Sequence, residues 1–202
     1  MLRGFQLAVV GASLILAGCV VTTLEPTNVA PTYKVADKAL GVVPADSCAS
    51  LSKVVIEDAR TQKELGTRTL VQTGATQPVS FKSDPTVWVR EGTTQMLQRA
   101  KIDTDVAGKP VLRLKISRLA LNERVNRLAT YDGRLDITAE VMTPGSANPC
   151  WTIALRGISE NIGSAGTAEN YEKTMNLALE RALLQLVNNS EFSNKLCGVC
   201  PR

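Results

Sequence analysis

The chain has no histidine among its 202 residues. That absence removes the commonest general base and the commonest zinc ligand together. A Ser-His-Asp triad and a Cys-His pair are excluded, so an enzyme here would have only Ser/Lys or carboxylate chemistry. No two acids take the spacing that paired acid–base work needs. The one Ser-x-x-Lys sequence, Ser50-Leu51-Ser52-Lys53, falls at a strand entry, outside any nucleophile context. A one-sided charge is missing as well: the formal net charge is +4 and is spread evenly, which gives no nucleic-acid footprint. There is no internal repeat or low-complexity tract, and no apolar run long enough to span a bilayer. The longest, Phe5 to Ile15, has roughly 11 residues, where a span needs about 20.

The flanks of that short run give it meaning. Arg3 precedes it, and Leu16-Ala17-Gly18-Cys19 closes it. A basic start, an apolar core and small residues before a cut form a secretory signal, and the cysteine at the cut makes it a lipoprotein signal. Residues 1–18 are therefore expected to be removed. Cys19 is expected to carry a diacylglycerol thioether and an N-acyl chain, with no other cofactor and no metal. Several acyl chains on one residue give stable anchoring, at about 0.8 kcal/mol per buried methylene. Val20, rather than an aspartate, comes directly after the cysteine. This favours the outer membrane, with the domain facing the periplasm; the periplasmic face of the inner membrane is the alternative.

About 184 residues remain, enough for one domain. Residues 19–47, with Pro26, Pro31 and Pro44, read as a lipid-anchored flexible tether. Residues 48–202 form the domain. Its first strand runs from Ser50 or Leu51 to Asp58, where Val54-Val55-Ile56 predicts a central strand covered on both faces. Arg60 to Val79 reads as a loose hairpin or long loop. Ser83-Asp84-Pro85 opens a helix whose stripe is Val89, Thr93, Met96 and Ala100. Leu112, Leu114 and Ile116 then alternate with Arg113 and Lys115. The apolar parity shifts to Leu119 and Leu121, which predicts a β-bulge near Ser117 or Arg118. Asp132-Gly133 reads as a turn. Strands come next at Leu135 to Val141 and at Trp151 to Leu155, separated by the loop Pro144 to Pro149. Thr167 caps a last helix with the stripe Tyr171, Met175, Ala178, Ala182 and Leu186, and Glu191 to Leu196 add a final turn. The expected fold is an α/β (α+β) two-layer sandwich. It has a mixed sheet of about four strands, including a three-stranded antiparallel meander, and two helices on one face.

Cys48, Cys150, Cys197 and Cys200 remain beyond the lipidated residue. An even count in an exported chain reads as two disulfides. A right-handed β-α-β crossover followed by a meander brings all four to one pole of the domain, with three pairings open. Cys197-Gly198-Val199-Cys200 has redox spacing, but it follows a helix instead of opening one, where thiol pKa values fall. A four-thiolate zinc site is the third reading.

Two surfaces stand out. The wet face of the meander carries Arg113, Lys115, Arg118, Arg124 and Arg134 beside Asp136 and Glu140. It is either a solvated face with cross-strand ion pairs or a partner face, and an edge strand beside it could accept a partner strand. Asp58 with Arg60 reads as a structural pair at a strand end. Trp88 and Trp151 read as core anchors.

An apolar strand ending in Asp58-Ala59-Arg60, an amphipathic helix near Trp88 to Lys101, a strand meander and a helix running into Asn189-Ser190-Glu191-Phe192 stand in this order behind a lipobox. Over residues 51 to 196 the chain resembles the YajG-type family of outer-membrane lipoproteins. That resemblance implies a fold similar to the N-terminal domain of TolB and to lipoproteins that activate penicillin-binding proteins, and it implies no defined activity. The expected function is a non-enzymatic binding or adaptor module of the envelope. Its partner would be a protein or an anionic envelope polymer, with no nucleic acid. The alternative is a lipid or small-ligand binding domain assisting envelope transport. A large apolar cavity between sheet and helices favours the alternative, and a tight core with an open sheet face favours the adaptor.

Overall fold

The computed structural model describes residues 27–34 and 41–199. The lipobox with Cys19, the first part of the tether and Cys200 lie outside the described residues. The elements are β1 (Thr27–Val29), β2 (Lys53–Asp58), β3 (Gly66–Leu70), β4 (Thr76–Phe81), α1 (Pro85–Arg99), β5 (Val111–Val125), β6 (Ala129–Met142), β7 (Pro149–Gly163), α2 (Ala168–Val187) and α3 (Ser190–Asn194). The α+β class holds, but the sheet has seven strands, not about four. Its order is β1-β4-β3-β5-β6-β7, with β2 also paired to β5. The added strands are short and polar, such as Gly66-Thr67-Arg68-Thr69-Leu70, and gain their stability from pairing, which a sequence pattern does not display. β1 lies within the stretch expected to be a tether. It pairs with β4, and Val29 and Tyr33 are buried in the core.

β5 is the hub. One side pairs antiparallel with β6 along nearly its whole length. The other side is shared end to end: β2 runs parallel to Val111–Ile116, and β3 runs parallel to Glu123–Val125. The expected bulge is present as a register shift between Ile116 and Arg118. Before it Leu112, Leu114 and Ile116 point to the helices; after it Leu119 and Leu121 do, and all five are buried. β2 is parallel to β5 as the crossover rule requires. It is not central, however. β5 is its only strand partner among the described residues, and of its apolar run only Ile56 is fully buried.

The helical layer is built from caps and stripes. Asp84 Oδ1 accepts the Thr86 amide at 2.9 Å, and Pro85 opens α1. Trp88 is buried and donates its indole N–H to Asn176 Oδ1 at 2.9 Å, which ties α1 to α2. Trp151 is only partly buried and stacks at a tilt on Phe192 of α3. Tyr171, Met175, Ala178, Ala182 and Leu186 of α2 are buried, as their spacing predicts. Thr167 stands at the N-cap but makes no cap bond. Its hydroxyl instead accepts Asn170 Nδ2 at 2.7 Å.

Asp132-Gly133 is not a turn. The hairpin closes at Asn126–Leu128, where the Asn126 amide donates to the Leu128 carbonyl at 3.0 Å. Gly133 lies inside β6 because a Cβ there would stand 2.5 Å from Ser159 Oγ and 2.8 Å from Thr174 Cγ2. Gly157 is tighter still: its Cβ would meet the Ala178 carbonyl oxygen at 1.7 Å. Helix α2 thus sits directly on the backbone of β6 and β7.

Cys48 and Cys197 are joined, with Cα atoms 5.0 Å apart and 149 residues between them in sequence. Cys150 is disulfide-bonded as well. Of the four-cysteine set, Cys200 lies outside the described residues.

Gly157→Ala is expected to cost about 3 kcal/mol in denaturant unfolding, because neither backbone can yield; a change near zero would place α2 further from the sheet. Replacing Cys48 and Cys197 by alanine is expected to cost about 2–5 kcal/mol. Non-reducing peptide mapping is expected to join Cys48 to Cys197 and Cys150 to Cys200. Four free thiols in protein from an oxidising compartment would contradict this.

Candidate binding face

The helices cover one face of the meander. The residues that alternate with its buried positions form the other face. There Glu140 is the most enclosed charge, with a side chain 9% exposed. Arg113 Nε donates to it at 2.6 Å and Lys115 Nζ at 2.9 Å. Burial pushes the Glu140 carboxyl up, but these hydrogen bonds outweigh it and hold the group below its ordinary value. Asp136 is shared in the same way by Arg134 at 2.9 Å and Arg156 at 3.1 Å. Asp132 holds Arg124 at 3.0 Å.

The structure therefore brings Arg113 and Lys115 together as clamps on one carboxylate and places Arg134 in a second cluster. Arg118 stands apart. It is exposed at the bulge and makes no ion pair among the described residues. Along β7 the pattern is inverted. Gly157 and Ser159 point inward, while Arg156, Ile158, Glu160 and Ile162 point out, with Ile158 54% and Ile162 62% exposed. The strand's period of two continues past Leu155, but small residues occupy the buried side. A hydropathy pattern therefore places the apolar side chains on the wrong face.

Side chains cap part of the β7 and β2 edges. Gln185 of α2 accepts the Arg156 amide at 3.1 Å and donates to its carbonyl at 2.7 Å, while Arg181 donates to the Ile158 carbonyl. On β2, Arg90 donates to the Val54 carbonyl at 3.0 Å and Lys63 to the Asp58 carbonyl at 3.3 Å. At those positions side chains take the backbone groups that a partner strand would need.

Two charged clusters lie off this face. Asp58 receives Arg60 Nε at 2.8 Å and Nη2 at 2.9 Å, with Lys63 at 3.1 Å. The Arg60 hydrogen bonds hold the Asp58 carboxyl well below the usual carboxylate range against the opposing effect of burial. Glu123 was not singled out by sequence. It lies beyond the bulge, so the shifted parity turns it inward, fully buried. Tyr171 and the Gly166 amide donate to it, the amide at 2.7 Å. Arg68 Nε lies 3.1 Å from its Oε2, at an angle that leaves Nε without a hydrogen bond. Burial and the adjacent Glu123 raise the Tyr171 phenol well above its ordinary value, so it stays a donor.

Because the Asp58 carboxyl titrates lower in the fold than its ordinary 3.8, ionised Asp58 stabilises the protein above that value. The contribution is lost as the pH falls through the folded-state pKa. Asp58→Asn is expected to cost about 2 kcal/mol at neutral pH and to converge on the parent protein in strong acid, in denaturation curves taken across pH. An equal loss at both extremes would contradict the ion pair.

No family model matches the sequence, and no curated protein matches it. The fold is similar to that of a Xanthomonas campestris protein of the family DUF330. The two share 12% identity at a TM-score of 0.52, over 84% of this chain and 97% of that one. A Helicobacter pylori homolog of a neuraminyllactose-binding hemagglutinin superposes at a TM-score of 0.47 with 11% identity, over 83% of this chain and 98% of that one. At 12% identity the Xanthomonas likeness extends to the fold alone.

Proposed function

We propose that the chain is a YajG-type lipid-anchored binding module, held at the outer membrane through Cys19 and facing the periplasm. It docks a protein through the outer face of its meander. One observation carries this reading: that face is uncovered among the described residues, and Ile158 and Ile162 stand exposed on it beside Arg156. Exposed apolar groups set among charges fit a protein partner better than an anionic polymer. Arg113, Lys115, Arg118, Arg124, Arg134 and Arg156 outnumber Asp132, Asp136, Glu140 and Glu160 on it, which favours an acidic partner surface.

The competing reading is a lipid or small-ligand cavity between sheet and helices. The direct seat of α2 on Gly133 and Gly157 argues against it, since the layers touch backbone to backbone there. The reading is also non-enzymatic. The chain lacks histidine, and Asp132, Asp136 and Glu140 are each committed to cations.

Photo-crosslinking in cells from Arg156 and Ile158 is expected to give one adduct of discrete mass. The exposed Lys173 on α2 is expected to give none. Arg124→Glu with Arg156→Glu is expected to abolish the adduct formed from Ile158. Equal adducts from both faces, or an adduct indifferent to charge reversal, would sink the docking face. Cys19→Ser is expected to move the protein from the membrane fraction to the soluble periplasm. Retention at the membrane would contradict the anchor.

A further inference from the structure

Between the end of β2 and the entry to β3, β5 runs from Ser117 to Ala120 with no strand beside it on that side. The gap is a cleft of about 900 Å3, lined among others by Arg60, Lys63, Arg118, Leu119 and Asn122. It is rich in unused donors. Arg60 has a side chain only 5% exposed, and Asp58 takes its Nε and Nη2. Its remaining nitrogen, Nη1, is buried with no hydrogen-bond partner. Folded proteins rarely leave a charged donor so. The Asp58 pair fixes the guanidinium plane, so Nη1 is held in place and not merely left over.

The other donors converge on the same gap. Arg118 is exposed and without an ion pair among the described residues. The Asn122 carboxamide oxygen accepts Thr67 N at 3.2 Å and Thr67 Oγ1 at 3.3 Å, which leaves its NH2 group available. The Leu121 amide turns away from β6 to donate to the Leu65 carbonyl at 2.8 Å. By the alternation of an antiparallel ladder, Leu119 turns its amide the same way, into the cleft. Among the described residues Glu64 is the one acid lining the cleft, and Asp58 stands behind it, paired with Arg60 and Lys63.

We propose that this cleft binds a phosphate group carried on a polar ligand, with Arg118 as its principal donor and the Arg60 guanidinium in the wall beside it. Arg60, Lys63 and Arg118 still outnumber Glu64 and the Asp58 carboxylate that pairs with Arg60 and Lys63, which suits an anion, and guanidinium forks match phosphate oxygens. The cleft is much larger than a lone ion, so the phosphate belongs to a bigger molecule. A soluble phosphate ester and a phospholipid headgroup present the same group. Arg118 borders both surfaces, but a phosphate titration involves no protein partner, so phosphate binding and docking at the outer face each survive failure of the other.

The test is titration calorimetry of the full chain with inorganic phosphate, glycerol phosphate, and a short-chain phosphatidic acid kept below its micelle concentration. Saturable binding is expected. Arg118→Glu is expected to weaken it by about tenfold or more. Lys109→Glu makes the same charge change at a separate cleft beside Gly108 and Leu196, and is expected to leave it unchanged. Arg60→Lys is expected to weaken it as Arg118→Glu does; if that variant does not fold, Arg118→Glu decides alone. Tighter binding of glycerol phosphate identifies a soluble ester, and tighter binding of the phosphatidic acid identifies a headgroup. No saturable binding of any probe would overturn the proposal. So would equal weakening by Arg118→Glu and Lys109→Glu, which would reveal a general charge effect.

Discussion

One inserted residue in β5 holds the architecture together. Ser117 is the unpaired residue of the bulge, and its hydroxyl donates to the Asp136 carbonyl at 3.1 Å across the ladder. The bulge re-aims the second half so that Leu119 and Leu121 return to the core. Without it they would face water, and Arg118 and Asn122 would face α2. The same insertion separates the docking sites of β2 and β3 along β5. The cleft is therefore a consequence of how the sheet closes, and the cations around it come from both banks of that gap.

The second constraint is the seat of α2. Large side chains fill the layer around Leu114, Met175 and Leu179, while Gly133 and Gly157 let the helix touch the sheet. Glu123 finishes the far end. It is a buried carboxylate served by Tyr171 of α2, by Gly166 of the preceding loop and by Arg68 of β3. A charge so placed demands that three separate segments arrive together, which favours one arrangement over its near alternatives. With the core closed in this way, recognition falls to the outer face and the cleft.

Much of this was legible in the sequence. The parity shift after Ile116 announces the bulge. Ser83-Asp84-Pro85 announces α1, and the positions of Cys48 and Cys197 announce the pole where they meet. The rest was hidden for physical reasons. β1 is short and polar and exists through its pairing, and β3 and β4 form the hairpin that Arg60 to Val79 offered as one of two readings, with its place in the sheet set by pairing that no pattern displays. Gly133 looks like a turn residue because glycine serves both turns and close approach, and Gly157 carries no pattern that marks it as the seat of a helix. β7 buries its small residues and exposes isoleucine, which inverts the usual sign of the pattern. Arg113, Lys115 and Arg134 were visible as an alternating basic set. Their commitment to Glu140 and Asp136 depends on the register between strands, and so does the isolation of Arg118. The unmet Nη1 of Arg60 depends on side-chain geometry that no spacing rule encodes.

Nuclear magnetic resonance of the full chain during a glycerol phosphate titration tests the central claim most directly, with backbone amides and arginine Nε–H groups followed together. Shifts confined to Arg60, Arg118, Leu119 and Asn122 are the expected result. Shifts centred on Arg113 and Lys115, or on Lys109 at the other cleft, or no shift at all, would contradict the account.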